Sequence, residues 1–172
     1  MHVSVKWIDG VSFVGESESG HAIVMDGAPE NGGRNIGMRP MEMLLVGMGG
    51  CTSFDVVAIL KKARQPITAC VAEIDATRAD EIPKVFTKIH VHFVVTGDNL
   101  NEAQVERAVK LSAEKYCSAS IMLSKSVEIT HDFEVRSASD ALSANTAAYC
   151  IVGCQLAEPI KQSRILKNLI IG

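Results

Sequence analysis

The chain is poor in aromatic residues and has no excess of positive charge. Aromatic side chains make up 5% of the 172 residues, and the formal net charge is -3. Proteins bind nucleic-acid phosphates through clustered lysine and arginine, and they bind single strands by stacking bases on aromatic rings. Because the sequence has neither feature, we expect no nucleic-acid partner.

The amino-terminal segment lacks the basic region and apolar stretch of a secretory signal, which predicts a cytoplasmic protein. The cysteines are odd in number and widely spaced, and no Cys-x-x-Cys pair occurs among them: Cys51, Cys70, Cys117, Cys150 and Cys154. A disulfide framework and a structural zinc site are therefore not expected. The sequence indicates neither a metal nor a cofactor.

Alternating apolar and polar residues predict strands within residues 1–26 and over 67–79, 86–97 and 126–135. In the strand at 86–97, Ile89, Val91, Phe93 and Val95 are expected to face inward. Helices are predicted over 39–66, where Pro40 suits the first turn, and after Asn101, which suits the cap position. The inner stripe of the second helix is expected to comprise Val105, Ala108, Val109, Ser112 and Tyr116. Residues 137–172 change in character and form a tail of unknown role.

The helix predicted over 39–66 is apolar or small at nearly every position from Met43 to Leu60. Its length would suit a transmembrane span, but Asp55 and the glycines at 47, 49 and 50 interrupt it. This favours the central helix of a soluble core, with close approach of another backbone at the glycines. A helix that is apolar on all sides must be buried on all sides. A single domain of this size rarely encloses one helix, so we expect a partner subunit to cover it.

Cys51 lies in the middle of this apolar helix, and Cys117 ends the next one. Either could be a small buried core residue. If the two meet, one thiolate can attack an oxidant and the other can resolve the resulting sulfenic acid as a disulfide. That chemistry needs a nearby cation or hydrogen-bond donors to lower the thiol pKa. Asp55, one turn after Cys51, would raise it.

Four other residues are weaker candidates. Glu42 lies nine positions before Cys51, on the opposite side of a straight helix, and it also suits the helix start. Arg39 could reach a thiolate from another subunit, or it could be a solvated surface residue. His90 and His92 share one strand face, which is either solvated or part of a metal site that lacks further ligands.

The segments RPMEMLLVGMGGCTSFDVVAILKK and SAEKYCSASIML, with their cysteines, resemble the OsmC/Ohr superfamily and are closest to its YhfA-like subgroup. The resemblance covers residues 1–136 as an OsmC-like domain and leaves 137–172 outside it. It implies an α+β, OsmC-like fold. In that fold, curved antiparallel sheets wrap around the long central helices of an intertwined homodimer.

The resemblance also implies a function. Cys51 matches the peroxidatic cysteine of the family and Cys117 the resolving cysteine. The implied activity is that of a thiol peroxidase that reduces organic hydroperoxides or hydrogen peroxide in oxidative or osmotic stress defence. A dithiol reductant, which is a lipoyl protein in some members, would restore the thiols by exchange.

The sequence departs from the family pattern around the thiols. Met41 stands where the peroxidases of the family have a glutamate, and Glu42 follows one position later. No arginine precedes Arg34, so Arg34 and Arg39 are the candidates for the arginine that holds the thiolate. A non-catalytic redox-responsive or small-ligand-binding dimer is therefore the alternative. A cation beside Cys51 would distinguish the two.

Overall fold

The computed structural model describes residues 1–139, so nearly all of the predicted tail at 137–172 lies outside the described residues. Within these described residues, six strands and three α-helices follow one another in an α+β order. The strands are β1 Val3–Asp9, β2 Ser12–Ser17, β3 Ala22–Met25, β4 Ile67–Arg78, β5 Phe86–Gly97 and β6 Glu128–Arg136. The helices are α1 Pro40–Lys62, α2 Glu102–Leu111 and α3 Ser118–Leu123, with a 3-10 turn at Pro29–Asn31 and a π-helical turn at Ser112–Tyr116.

The strands form two three-stranded sheets. Sheet 1 has the order β1-β2-β3 and is antiparallel throughout. Sheet 2 has the order β4-β5-β6, in which β4 and β5 are antiparallel but β5 and β6 are parallel. The prediction of antiparallel sheets is thus confirmed for every pair except the last. The chain returns through α2 and α3 before β6, and such a crossover is what a parallel pair needs.

The core lies between the inner face of sheet 2 and the helices. Ile89, Val91, Phe93 and Val95 of β5 are buried, as their alternation predicts. They pack with Met48, Val56 and Leu60 of α1 and with Val105, Ala108 and Val109 of α2. Because both helices rest on this one sheet face, their facing sides are held in fixed positions.

The π-helical turn after α2 changes which residues face the core. Val105, Ala108, Val109 and Ser112 are buried as predicted, but Tyr116 is half exposed. The prediction for Tyr116 was therefore wrong. A π turn holds more residues than an α turn, so it rotates the following side chains away from the α-helical stripe.

Helix α1 is only partly covered by the described chain. Its most apolar window has a mean hydropathy of 1.8, yet 28% of that window is buried. By length and composition alone it could cross a membrane, although core helices of soluble proteins pass the same test. A Cβ added to Gly49 would lie 2.8 Å from Cδ1 of Ile74, whereas one added to Gly47 or Gly50 would meet nothing within 4 Å.

Sheet 1 also leaves an apolar face open. It touches the other described elements only sparsely. Val3, Val5 and Trp7 of β1, which share one strand face, are each more than half exposed. Ile23 and Val24 of β3 are exposed as well. Much apolar surface therefore remains outside the core of the single chain.

Candidate functional site: a dithiol and a carboxylate between two helices

The structure brings Cys51 and Cys117 together. Cys51 lies in the middle of α1, and Cys117 is the residue that caps the start of α3. Their Sγ atoms and a carboxylate oxygen of Asp55 all lie within 4.8 Å of one another. Cys117 is fully buried and Cys51 is partly exposed, so solvent and small solutes reach the pair at Cys51.

A buried pair of hydroxyls positions the two cysteines. The Oγ1 of Thr52 and the Oγ of Ser112 are 2.8 Å apart. Thr52 is the residue after Cys51, and the carbonyl of Ser112 accepts the backbone N–H of Cys117 at 2.8 Å. The Ser112 hydroxyl also lies 3.3 Å from Oδ2 of Asp55, to which it can donate. These contacts tie α1 to the turn that carries Cys117.

The sulfur of Cys117 accepts two hydrogen bonds from Ser120. The backbone N–H of Ser120 lies 3.4 Å from Sγ, and the Ser120 hydroxyl lies 3.2 Å from it. Ser120 is itself buried, so both donors are shielded from water. The sulfur is therefore fixed in direction and faces donors that would stabilise negative charge on it.

The surroundings of Cys51 disfavour its thiolate. The largest single influence on the pKa of Cys51 is the backbone N–H of Ala119, which donates to the Cys51 sulfur and lowers this pKa. Three influences outweigh this hydrogen bond: burial, the neighbouring Cys117 and the Asp55 carboxylate. Together they raise the pKa of Cys51 above its usual value. The predicted effect of Asp55 is confirmed. Within residues 1–139, none of the groups that shift this pKa is a cation.

Arg39 and Glu42 lie at the start of α1, away from Cys51 within one chain. The backbone N–H of Arg39 donates to Oε2 of Glu42 at 2.9 Å, which closes the first turn of the helix. Arg39 is twelve positions from Cys51, or about 18 Å along the helix axis. Arg34 is held at sheet 1, where its guanidinium lies 3.7 Å from Asp9 and 3.3 Å from the hydroxyl of Ser12.

The histidines of β5 lie on the outer face of sheet 2, on the side opposite the buried residues of that strand. Nδ1 of His90 is 2.8 Å from Oγ1 of Thr130, and Nδ1 of His92 is 2.5 Å from Oδ1 of Asp132. The Asp132 carboxylate is the main cause that raises the pKa of His92. These side chains stabilise the sheet surface and are not part of the dithiol site.

Sequence reasoning did not single out Ser112, Ser120 or Thr52 as site residues. Ser112 appeared only as a polar member of the apolar stripe of the second helix. A hydroxyl within such a stripe signals a buried hydrogen bond, but it does not say with which partner. The partner of Ser112 is on α1, sixty positions away.

Comparisons with known proteins identify the family of the chain. Residues 32–132 match the model of the family described as OsmC-like protein. Protein YhfA of Escherichia coli K12 is 51% identical over 135 residues, which are 78% of this chain and 98% of that protein. The chain belongs to the OsmC family. The resemblance to the OsmC/Ohr superfamily is thereby confirmed.

Two solved structures show how far the fold of this OsmC family protein is shared. A hypothetical protein from Aquifex aeolicus is 32% identical with a TM-score of 0.70, over 79% of this chain and 96% of that one. An organic hydroperoxide resistance protein from Legionella pneumophila is 16% identical with a TM-score of 0.61, over 78% and 98%. At 16% identity the second likeness shows the fold alone. Proteins of this family are soluble, so we interpret α1 as a core helix.

Proposed function

We propose that this protein is a cysteine-based thiol peroxidase that reduces organic hydroperoxides or hydrogen peroxide. The observation that carries the proposal is the closeness of Cys51 and Cys117, whose sulfurs lie within 4.8 Å of each other on separate helices. A solvent-accessible thiol beside a buried thiol is the arrangement that forms and then resolves a sulfenic acid. Membership of the OsmC family supports the same chemistry, and one protein that shares the fold is named for organic hydroperoxide resistance.

The proposed reaction has three steps, which are oxidation of Cys51, formation of the disulfide and its reduction. The Cys51 thiolate attacks the distal oxygen of ROOH, and a proton completes ROH, which leaves Cys51 as the sulfenic acid. The thiol of Cys117 then attacks that sulfur, which forms the disulfide and releases water. A dithiol such as a lipoyl protein reduces the disulfide by exchange and is itself oxidised. A cytoplasmic location would supply such a reductant.

The first step needs a Cys51 thiolate, which a single chain disfavours because burial, Cys117 and Asp55 raise the pKa of this thiol. We therefore propose that a second copy of the chain supplies the cation. Arg39 is the candidate cation, and Glu42 is the carboxylate that would accompany it, since both are at the helix start and neither lies beside Cys51 in its own described chain. A cation placed near Cys51 would offset the Asp55 charge and lower the thiol pKa.

An intertwined homodimer would also cover the open apolar surface. A groove of about 520 Å³ runs along α1 on the side away from Cys51, and Leu45, Val46 and Gly50 line it. Since a Cβ added to Gly47 or Gly50 would meet no atom of the described residues within 4 Å, the lack of side chains there would let a second helix approach closely. The exposed apolar side chains of β1 add to this surface, and large exposed apolar patches mark protein–protein interaction sites.

The alternative function is a redox-responsive or small-ligand-binding dimer without useful turnover. Among the described residues no cation shifts the pKa of Cys51, and this observation favours it. In that case the thiols would be oxidised slowly and would act as a sensor or as part of a binding site. A groove of about 510 Å³ lies beside Asp55 and is lined by apolar side chains together with Lys62 and Arg107, so it would suit a ligand that is only partly apolar.

The decisive experiment treats the reduced full chain with one equivalent of cumene hydroperoxide or hydrogen peroxide and maps disulfides by peptide mass spectrometry. We expect a fast Cys51–Cys117 disulfide that both Cys51→Ser and Cys117→Ser abolish. Cys70→Ser is the matched control, because Cys70 is a partly buried thiol on β4 and should leave the rate unchanged. If Cys51 reacts no faster than free cysteine, the peroxidase proposal is wrong and the alternative stands.

A further inference from the structure

The dithiol site holds a third donor that the peroxidase chemistry does not use. A carboxylate oxygen of Asp55 lies within 4.8 Å of both the Cys51 and the Cys117 sulfurs. Asp55 works against the thiolate that a peroxidase requires, yet it lies partly buried beside it. We propose that the reduced site binds one thiophilic divalent cation of the zinc type, with Cys51, Cys117 and Asp55 as its three protein ligands.

The three donors are close to the spacing that such an ion requires. Zinc binds cysteine sulfur at about 2.3 Å and carboxylate oxygen at about 2.0–2.2 Å, almost always in tetrahedral geometry. Tetrahedral angles place two such sulfurs about 3.8 Å apart. The present separations are within 4.8 Å, so the donors need to close by about 1 Å or less. Side-chain rotation of Cys51, which is only partly buried, can supply that movement.

Two serines provide an outer shell of hydrogen bonds. The Ser112 hydroxyl, 3.3 Å from Oδ2 of Asp55, can orient the carboxylate, and the Ser120 hydroxyl donates to the Cys117 sulfur at 3.2 Å. Both serines are buried. Hydrogen-bond partners in this outer shell orient the metal ligands and contribute to the affinity for the metal ion. Three protein ligands would leave the fourth tetrahedral position open toward the exposed side at Cys51.

The charge of the site also fits a cation. Two thiolates and a carboxylate within a few ångströms repel one another, and no lysine or arginine of residues 1–139 is among the groups that influence Cys51. A divalent ion reverses this repulsion and favours the deprotonated thiols. Soft sulfur donors select zinc or cadmium over magnesium or calcium. The cysteine spacing could not indicate such a site, because its ligands come from two helices.

Metal binding and the disulfide exclude each other, since each uses both sulfurs. The cation would therefore protect the reduced thiols from peroxide, and oxidation would release it. This consequence rests on the proposed peroxidase function, but the metal site itself does not. Binding to the reduced protein can be measured without any peroxide, so the two proposals can fail separately.

The test titrates cadmium into the reduced full chain in which Cys70, Cys150 and Cys154 are replaced by serine. Near-ultraviolet charge-transfer absorption reports cadmium–thiolate bonds, and competition with zinc gives the zinc affinity. We expect one ion per chain, with Cys51→Ser and Cys117→Ser each removing most of the absorption. Asp55→Asn should weaken binding by at least about tenfold. Asp75→Asn, an exposed carboxylate on β4, is the matched control and should change nothing.

A second measurement on the same variant separates ligand loss from misfolding. Because Asp55 raises the pKa of Cys51, Asp55→Asn should make this thiol more reactive toward iodoacetamide while it binds cadmium less tightly. Misfolding would also expose Cys51 and increase its reactivity, so the two changes identify the loss of a ligand only where Asp55→Asn keeps the urea unfolding transition of Asp75→Asn. Binding that is equally tight in Asp55→Asn and in the parent, or an ion that needs only one of the two cysteines, would overturn the proposed three-ligand site.

Discussion

The hydroxyls of Thr52 and Ser112 are 2.8 Å apart in the core, although sixty positions separate them in the chain. The Ser112 hydroxyl also lies 3.2 Å from the Thr52 carbonyl, which can accept its single proton in place of Asp55, and the Ser112 carbonyl accepts the N–H of Cys117. This contact links the helix of Cys51 to the turn of Cys117. The distance between the two sulfurs therefore depends on two residues that take no part in the thiol chemistry.

Replacing Ser112 by alanine should destabilise the protein and loosen the dithiol. The Thr52 hydroxyl would lose its partner in a buried position, which costs about 1–3 kcal/mol. Thr52→Val keeps the shape of the side chain and leaves the Ser112 contacts to the Thr52 carbonyl and Asp55. We therefore expect the free energy of unfolding to fall by only about 1 kcal/mol. Urea unfolding measures both. The exposed Thr77→Val is the control, and its effect should stay within about 0.5 kcal/mol. A loss in Ser112→Ala no larger than in this control would contradict the role of the contact.

Asp55→Asn should lower the pKa of the Cys51 thiol. The Asp55 charge is one of the causes that raise this pKa, so its removal increases the thiolate fraction at neutral pH. The pH dependence of alkylation, followed for the peptide that contains Cys51, measures the shift. Asp75→Asn carries the same charge change at a remote exposed position. An unchanged or upward shift in Asp55→Asn would show that the carboxylate does not act on this thiol.

Asp26 should make the stability of the reduced protein fall in acid. Burial alone would raise the pKa of this carboxyl, but the N–H groups of Gly27, Arg34 and Ile36 and the Ser12 hydroxyl outweigh it and lower the pKa to about 2. Since the folded-state pKa lies below the unfolded one, the stabilisation is complete above about pH 4 and disappears as the pH falls toward about 2.

The measurement for Asp26 is urea unfolding at several pH values between about 2 and 7. We expect Asp26→Asn to be less stable than the parent at neutral pH and to lose less stability on acidification. The control is Asp80→Asn, at an exposed position in the segment between β4 and β5. Parallel stability curves for the parent and Asp26→Asn would refute the prediction.

Val46→Asp should dissociate the proposed homodimer. Val46 is 49% exposed on the open side of α1, near Gly47 and Gly50, where an added Cβ would meet no atom of the described residues within 4 Å. A charge there would be buried without a partner in the dimer but solvated in the monomer. Light scattering coupled to size exclusion gives the mass, and we expect twice the chain mass for the parent. Val85→Asp is the matched control, because Val85 is 51% exposed between β4 and β5. A monomeric parent would remove the dimer from the proposed function.

Local patterns predicted most of the secondary structure. Pro40 opens α1, Asn101 caps α2 by accepting the N–H of Gln104, and β5 begins and ends at Phe86 and Gly97 as its alternation predicts. These features depend on residues near one another in the chain. The exposure of Tyr116 and the parallel pairing of β5 with β6 were not predicted, because a π turn and a crossover depend on how distant elements pack.

The sequence by itself determined that the protein has an apolar helix with a thiol in its middle, a second thiol at a helix end, and a carboxylate one turn after the first. It also determined the family, through two cysteine segments at a characteristic separation. Only the tertiary structure decided that the three donors meet and that, within residues 1–139, no cation is among the groups that shift the pKa of Cys51. The reason is physical: which side chains converge between two helices depends on packing against a shared sheet, and spacing along the chain does not encode that contact.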